Sequence, residues 1–240
     1  MKKRFVIISH GRTGSTALCN ALNEHPEVCC AYELFAREAQ GAPRADIIQF
    51  ASGRGDDYLR LFFEADFAPV VGYKMFTFHG REDEHAVLAW DYLLEHPDIH
   101  VIFLSRRNLI DSFLSEKFAA ASGNWGPGWV GEAEPKVDPV WVDLNEADLY
   151  MFRVYAEMAW ARVAFAHHPG LTLWYEDLAT NFRGEFERVL RFLGLESQKT
   201  SVVFQPNLGS RAAQFIENHE VLMQRFRNSI FSSRKPDNQY

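Results

Sequence analysis

A turn near the N-terminus is the first part of the sequence whose residue types could bind a ligand. The apolar run 5–8 leads into Ser9 and His10, and the residues after Thr16 have the apolar spacing of an amphipathic helix. A turn between a strand and a helix binds anions, because unpaired backbone N–H groups and the positive end of the helix dipole point into it. We therefore expect a phosphate or sulfate site formed by Gly11, Arg12, Thr13, Gly14, Ser15 and Thr16.

This turn differs from the phosphate loop of nucleotide kinases. The kinase loop carries a lysine that reaches the β- and γ-phosphates, followed by a hydroxyl that binds magnesium. Residues 11–16 include no lysine. A nucleotide kinase is therefore disfavoured, and we expect no metal site. A catalytically silent protein that binds a nucleotide or a glycan is the other alternative.

Two adjacent arginines form a second candidate anion site. Arg106 and Arg107 follow the apolar run 100–105, at the carboxyl end of a predicted strand, which is the edge where open α/β sheets bind ligands. Ser115 lies eight residues after Arg107, roughly two helical turns further along the chain. An arginine and a hydroxyl in these positions could hold one phosphate monoester. Glu176 and Asp177 are expected only to cap a helix or to hold a loop.

The elements that would position these residues alternate along the chain. Short apolar runs recur between longer segments of helical periodicity, which indicates an α/β fold with a parallel sheet and right-handed crossovers. The predicted strands are residues 4–9, 28–33, 70–76, 99–105 and 171–175. The predicted helices are residues 14–24, 56–64, 84–96, 109–121, 146–167 and 182–193.

Length and charge limit the function. The chain has 240 residues, and we expect one domain over residues 1–240. A net charge of −7 disfavours a general binder of nucleic acids or anionic membranes. The first apolar run is too short for a secretory signal, no segment approaches the length of a membrane span, and the cysteines lack metal-binding spacing. We therefore expect a cytoplasmic protein with reduced cysteines and no stable membrane insertion.

Taken together, these motifs resemble those of the sulfotransferase superfamily. Residues 12–16 are similar to its 5′-phosphosulfate loop, and residues 107–109 with Ser115 are similar to its 3′-phosphate motif, apart from Leu109 where proline is usual. The strand around Lys74, the sequence Tyr-Glu-Asp-Leu at 175–178, and residues 207–218 resemble three further family segments. The last of these covers the nucleotide in the family.

The resemblance implies a fold, a donor and a set of contacts. The fold would be a P-loop-like three-layer α/β fold with a central parallel sheet flanked by helices. The donor would be 3′-phosphoadenosine-5′-phosphosulfate (PAPS), bound without metal. Residues 11–16 would hold its 5′ group, and Arg107 and Ser115 would hold its 3′-phosphate.

Sulfuryl transfer also needs a base for the proton of the acceptor and cations for the charge that develops on the leaving phosphate. Arg12 and Lys74 would supply the positive charge. Glu33, at the end of a predicted strand, resembles the glutamate base of the carbohydrate and bacterial branches. His79 resembles the histidine base of cytosolic aryl and steroid sulfotransferases and is the rival candidate. His10 could donate to a sulfate oxygen or satisfy a local carbonyl.

The resemblance also bears on the acceptor and on the segment that would lie near it. Resemblance to the branches with a glutamate base implies a small-molecule or glycan acceptor and favours a hydroxyl on a carbohydrate or glycolipid. Residues 122–145, rich in Gly, Pro and charge, carry three tryptophans and would be a loop insertion near the acceptor site, unless buried tryptophans merely pin a surface loop. The protein could also form a homodimer.

Overall fold

A sheet of five strands lies at the centre of the described part of the chain. The computed structural model describes residues 2–35, 55–65, 67–79, 84–123, 125, 137–204, 212–227, 229 and 231. The strands are β1 (Lys3–Ser9), β2 (Val28–Glu33), β3 (Val70–Phe76), β4 (His100–Ser105) and β5 (Gly170–Trp174). Each begins and ends within one residue of its predicted position, so the strand predictions are confirmed.

The order of the strands places a crevice beside β1. The order is β2-β3-β1-β4-β5, and every neighbouring pair is parallel. The chain builds β2 and β3 on one side of β1 and then crosses to build β4 and β5 on the other. Ligands of open α/β sheets bind at such a reversal, outside the carboxyl ends of the strands. In this fold that position lies directly after Ser9.

Helices precede and follow the strands as the periodicity predicts. They are α1 (Ser15–Asn23), α2 (Gly55–Glu64), α3 (Glu84–Glu95), α4 (Leu109–Ser122), α5 (Leu144–Ala164), α6 (Tyr175–Phe192), α7 (Ala212–Phe215) and α8 (His219–Phe226). The first five start within two residues of their predicted positions. The last two are short helices that the sequence analysis did not predict.

The start of α6 corrects the prediction. A strand was expected to end at Tyr175 and a helix to begin at residue 182, whereas the helix already begins at Tyr175. Asn181 interrupts it with φ −147° and ψ 61°, and the Asn181 Oδ1 accepts a hydrogen bond of 3.1 Å from the backbone N–H of Gly184. Asn181 thus acts as an N-cap for the predicted helix. The preceding turn is a separate helical segment that directs its acidic residues toward β4.

Side chains of the strands alternate between two hydrophobic cores, one on each face of the sheet. Val6 and Ile8 belong to the core that packs against α2 to α5, whereas Phe5 and Ile7 belong to the core that packs against α1 and α6. The period of two is that of a strand buried on both faces. The α/β three-layer prediction is therefore confirmed, with helices covering both sides of a parallel sheet.

Three remaining expectations concern parts outside this core. Cys19, Cys29 and Cys30 are free. Among the described helices, none is long and apolar enough to cross a membrane. Of the predicted insertion 122–145, residue 124 and residues 126–136 lie outside the described residues. Trp125 and Trp141 are 58% and 62% exposed, so these two tryptophans do not pin the segment into the core.

Candidate active site

The turn after β1 contains two residues in the left-handed region of backbone conformation. Arg12 and Gly14 have positive φ angles of 62° and 80°. Gly14 is the N-cap of α1 and supplies no side-chain cap, so the first N–H groups of the helix have no intrahelical partner. A Cβ on Gly14 would lie 2.4 Å from the ring of Phe204. Glycine is therefore required there by both conformation and space.

Lys74 joins this turn to the neighbouring strands. It lies on β3 opposite Ile7 of β1, and only 3% of it is exposed. Its Nζ donates a 2.9 Å hydrogen bond to the Thr16 Oγ1 and lies 2.9 Å from the Glu33 Oε1. A buried ammonium is costly unless it is paired, and this one is held between a carboxylate and the first turn of α1. Lys74 therefore directs positive charge into the predicted anion site.

The two rival bases lie at the same corner of the sheet. Glu33 ends β2, beside a register shift that follows Ala31, and its Oε2 lies 3.9 Å from the His79 Nε2. The His79 Nδ1 accepts a 3.2 Å hydrogen bond from the backbone N–H of Phe76. Burial lowers the pKa of His79; the negative charge of Glu33 opposes this shift and the positive charge of Lys74 adds to it. The imidazole is consequently neutral at physiological pH.

Arg12 contacts Ser115 directly. Its Nε donates a 3.0 Å hydrogen bond to the Ser115 Oγ, and its Nη1 donates a 2.9 Å hydrogen bond to the carbonyl of Trp125. Burial lowers the pKa of Arg12, and the charge of Arg106 lowers it further. Sequence analysis assigned Arg12 to the 5′ group and Ser115 to the 3′-phosphate. The structure brings these two residues together.

Arg107 is occupied by carboxylates that the sequence analysis left outside the site. Its Nη1 donates a 2.8 Å hydrogen bond to the Asp177 Oδ1, and its Nη2 donates a 2.8 Å hydrogen bond to the Asp177 Oδ2. The guanidinium also stacks on the Trp174 ring, 4.9 Å from the ring centre. The Glu176 carboxylate accepts hydrogen bonds from the backbone N–H groups of Arg107 and Asn108. Arg107 and Ser115 thus have different partners among the described residues. The sequence signal for these contacts was the acidic pair Glu176 and Asp177, which directly follows the predicted strand 171–175.

Arg106 is the arginine of the predicted pair that lies at the turn, although the family resemblance favours Arg107. Its guanidinium lies 4.0 Å above the Tyr175 ring, and its Nη1 donates a 3.4 Å hydrogen bond to the carbonyl of Arg12. In the described part of the chain its buried Nε has no hydrogen-bond partner. The side chains of adjacent residues at a strand end point to opposite sides of the sheet, so Arg106 and Arg107 cannot both face the turn. This alternation could have identified Arg106 from the sequence.

His10 connects the turn to β4. Its Nε2 accepts a 3.3 Å hydrogen bond from the backbone N–H of Arg106, and its Nδ1 lies 3.4 Å from the Ser112 Oγ. Burial, together with the charges of Arg106 and Arg162, lowers the pKa of His10 to about 3. With 1% of its surface exposed, His10 is a neutral internal link between two elements rather than an exposed donor to sulfate.

Comparison with protein families decides the classification. A model described as "Sulfotransferase family" matches residues 4–199. The chain belongs to the sulfotransferase family. No curated protein matches the chain in sequence.

Three solved sulfotransferase structures are similar to this family member at low sequence identity. A sulfotransferase from Alicyclobacillus acidocaldarius has a TM-score of 0.51 and 14% identity, with 98% of each chain covered. The sulfotransferase domain of the Synechococcus PCC 7002 olefin synthase has a TM-score of 0.45 and 14% identity over 99% of this chain and 91% of that one. Mouse sulfotransferase SULT7A1, complexed with PAP, has a TM-score of 0.45 and 9% identity over 95% and 86%. The first of these supports the P-loop-like fold.

A cleft opens beside the turn of this sulfotransferase. Its volume is about 840 Å³, and residues of α3, α4 and α5 and of the segment after β3 line it. The lining includes Thr77, His79, Trp90, Glu116, Tyr150 and Trp160. The Glu116 Oε2 lies 3.6 Å from the position that a Cβ on Gly11 would occupy, which places one wall of the cleft against the turn.

Carboxylates in this region do not form a metal centre. Among the described residues, no group of three or more His, Cys, Asp or Glu side chains could hold a metal ion. Glu157, which also lines the cleft, accepts a hydrogen bond of 2.5 Å from the Thr77 hydroxyl. Burial raises the pKa of Glu116, while the charge of Arg153 opposes that shift.

Proposed function

We propose that this sulfotransferase transfers a sulfuryl group from PAPS to the hydroxyl of an acceptor by in-line displacement, with Glu33 as the general base. The observation that carries the proposal is the contact of one buried ammonium, Lys74, with both Glu33 and Thr16. A single cation thus contacts both the proposed proton acceptor and the first turn of the helix at the proposed anion site. Such an arrangement suits a reaction in which one oxygen loses a proton while another gains negative charge.

The residues around the turn fit a phosphosulfate group. The uncapped start of α1 offers backbone donors, and Arg12 and Lys74 offer charge. Two buried polar atoms beside the turn, the Ser9 Oγ and the Arg106 Nε, have no hydrogen-bond partner in the described part of the chain. Buried donors without a partner are rare, and an anion bound at the turn would explain them.

The residues divide the reaction between two tasks. Glu33 takes the proton of the acceptor hydroxyl as the acceptor oxygen forms its bond to sulfur and the bond from sulfur to the phosphate oxygen breaks. Lys74, Arg12 and the N–H groups of the turn stabilise the negative charge left on that phosphate oxygen. The bound donor supplies the activated sulfuryl group. No metal is needed for either task, because the chain provides the cations.

The 3′-phosphate is proposed to bind between Arg107 and Ser115. For this to happen, Arg107 must give the phosphate at least one of the hydrogen bonds that it now makes to Asp177. Asp177 now takes both terminal nitrogens of Arg107. The pair is partly exposed, with 22% and 41% of the two side chains accessible. A phosphate with two negative charges would compete with one carboxylate for this guanidinium, and bidentate binding suits either anion.

We propose that the acceptor is a carbohydrate or a glycolipid and that it binds in the cleft. Trp160, at 49% exposed, provides a flat apolar face, and Glu116 provides oxygens that can accept hydrogen bonds from hydroxyls. The largely buried Trp90, Tyr150 and Glu157 also line the cleft. His79 lines the cleft, and its Nε2 lies 3.9 Å from the Glu33 Oε2. An acceptor bound at this end of the cleft would therefore lie close to the proposed base. The contact of Trp125 with Arg12 supports the proposal that the insertion 122–145 borders this site.

Titration calorimetry on the desalted protein tests the donor assignment. We expect adenosine 3′,5′-bisphosphate to bind without magnesium and more tightly than AMP, because charge-assisted hydrogen bonds contribute about 1.5–3 kcal/mol each. A screen of neutral glycans, glycolipids and phenols with sulfur-35-labelled PAPS then tests transfer. Binding of ATP that depends on magnesium would favour a kinase. Tight binding of the bisphosphate with no transfer to any acceptor would favour a silent binding protein.

A further inference from the structure

We propose that His79 positions Glu33 by directing its Nε2–H at the carboxylate, and that it does not itself take the proton of the acceptor. The inference rests on the proposed function, in which Glu33 is the base. It assigns different tasks to the two residues that the sequence offers as rival bases.

The hydrogen bond from Phe76 determines which ring nitrogen carries the proton. A backbone N–H is always a donor, so the His79 Nδ1, 3.2 Å from the N–H of Phe76, must be the acceptor. In a neutral imidazole the single proton then lies on the Nε2. The lone pair of the Nδ1 is engaged and the Nε2 is already protonated. Neither nitrogen is therefore free to accept a proton from a substrate.

Burial keeps the His79 ring neutral, and the two charges that face it act in opposite directions. Glu33 at the end of β2 and Lys74 on β3 face it from the neighbouring strands. Burial lowers the pKa of His79 and the charge of Lys74 lowers it further, against the opposing effect of Glu33. A neutral ring retains the Nε2–H as its one polar hydrogen. The Glu33 Oε2 lies 3.9 Å from this nitrogen.

Packing fixes the ring in this orientation. The ring contacts Phe76 and Phe78, with distances of 5.2 and 4.9 Å between ring centres. The backbone carbonyl of His79 accepts a 2.8 Å hydrogen bond from the Trp90 indole, and its N–H donates a 2.9 Å hydrogen bond to Phe76. Glu33 is the more exposed partner, at 30% against 6% for His79. A shift of the carboxylate by about 1 Å would complete a normal hydrogen bond.

The two oxygens of Glu33 consequently have different partners. Lys74 binds the Oε1, and His79 faces the Oε2. Donors on both oxygens would hold the carboxylate in one plane, oriented toward the hydroxyl of the acceptor. His79 also lines the cleft, so its ring forms part of the wall between the proposed acceptor and the base.

Two variants separate positioning from proton transfer. His79→Gln can place an amide N–H where the Nε2–H lies, whereas His79→Asn can retain the acceptor for Phe76 but cannot reach Glu33. We expect His79→Gln to keep transfer within about tenfold of the unsubstituted enzyme, and His79→Asn to lose roughly 10- to 100-fold.

A double variant tests whether the two residues act together. In a Glu33→Gln background, His79→Asn should cause little further loss, since the residue acts through Glu33. Affinity for adenosine 3′,5′-bisphosphate and the thermal midpoint identify any variant that fails to fold. Equal losses of 10²–10⁴-fold in both folded His79 variants would make His79 the base and overturn the proposal. Unchanged activity in both would also overturn it.

Nitrogen NMR gives a test that does not depend on activity. In protein labelled with nitrogen-15 at histidine, the His79 signals are assigned by their absence from His79→Gln. We expect a neutral ring with its proton on the Nε2 at pH 7. A proton on the Nδ1 would overturn the tautomer assignment even if the sulfotransferase activity is confirmed. A correct tautomer in a protein that binds no adenosine 3′,5′-bisphosphate and transfers no sulfuryl group would instead count against the proposed function.

Discussion

The two sides of the turn after β1 use cations in different ways. On the β2 and β3 side, Lys74 is buried and contacts both a carboxylate and the first turn of α1. On the β4 and β5 side, Arg107 is partly exposed and gives both terminal nitrogens to Asp177. Sequence patterns alone describe each as a basic residue on or after a strand. The partners of each cation come from neighbouring elements. These partners determine whether the charge reaches the turn, as for Lys74, or is neutralised beside it, as for Arg107.

The ion pairs of Lys74 and Arg107 also differ in energy, because Lys74 is buried and Arg107 is partly exposed. Removing an ion pair from water costs several kcal/mol per ion, so Lys74 and Glu33 depend on each other and on the turn. A partly exposed pair such as Arg107 and Asp177 contributes about 1 kcal/mol or less. The first pair is therefore a fixed part of the proposed site. The second is a contact that an incoming phosphate could replace.

Glu33→Gln should have the largest effect, and it tests the buried side. The amide keeps the shape of the side chain but cannot accept a proton, so transfer should fall by roughly 10²–10⁴-fold. Affinity for adenosine 3′,5′-bisphosphate should change little, since Glu33 would touch the acceptor and not the nucleotide. Transfer assays and calorimetry on the same preparation measure both. A rate within tenfold of the unsubstituted protein would remove Glu33 as the base.

Arg12 lies between the two sides, and Arg12→Ala should have the next largest effect. Loss of a charge-assisted contact worth about 1.5–3 kcal/mol should weaken donor binding by roughly 10- to 100-fold and slow transfer. Arg12→Gly is the matched control, because glycine accepts the positive φ of 62° without strain. Equal losses in both variants would assign the effect to the guanidinium. A loss in Arg12→Ala alone would assign it to the backbone.

His10 links the turn to β4, and its burial predicts a dependence of stability on pH. Its folded pKa of about 3 is below the ordinary 6.5, so the unfolded chain binds a proton more readily between these values. The contribution of neutral His10 is complete above pH 6.5 and is lost as the pH falls toward 3, at up to about 1.4 kcal/mol per pH unit. Denaturant titrations of the unsubstituted protein and His10→Gln between pH 7 and 5 should show a smaller slope in the variant. Parallel curves would contradict the assignment.

Asp177→Asn should have the smallest effect, and it tests the exposed side. Removing the competing carboxylate should raise affinity for adenosine 3′,5′-bisphosphate by a few fold, on the scale of about 1 kcal/mol for an exposed pair. Affinity for AMP should stay the same. Arg107→Ala should abolish the preference for the bisphosphate over AMP. If that preference survives in Arg107→Ala, the 3′-phosphate binds elsewhere, with Arg106 the nearest alternative.

Residues on or next to regular elements were predictable from the sequence. The alternation of buried strands and amphipathic helices predicted the strands to within one residue, and the motif after β1 predicted the turn. Lys74 could be selected because a lysine within an apolar strand needs an anion. Each of these inferences depends on local spacing, which a strand or a helix converts directly into position.

Contacts between elements could not be predicted in the same way. The bidentate contact of Asp177 with Arg107 depends on the kink at Asn181, which lets α6 begin seven residues before residue 182. The contact of Arg12 with Ser115 depends on the positive φ of a residue that is not glycine. The tautomer of His79 depends on a backbone N–H three residues earlier. The site roles of these residues remain predictions, whereas their positions are now defined.

The contact between Gly14 and Phe204 has a consequence for how much variation the turn can tolerate. Gly14 and Gly123 both have positive φ angles, 80° and 70°, yet a Cβ would meet the Phe204 ring at the first and nothing within 4 Å at the second. Phe204 is itself held between Tyr175 and Phe182, so it cannot easily withdraw. In a library of all single substitutions, asparagine should be accepted at position 123, while position 14 should retain only glycine.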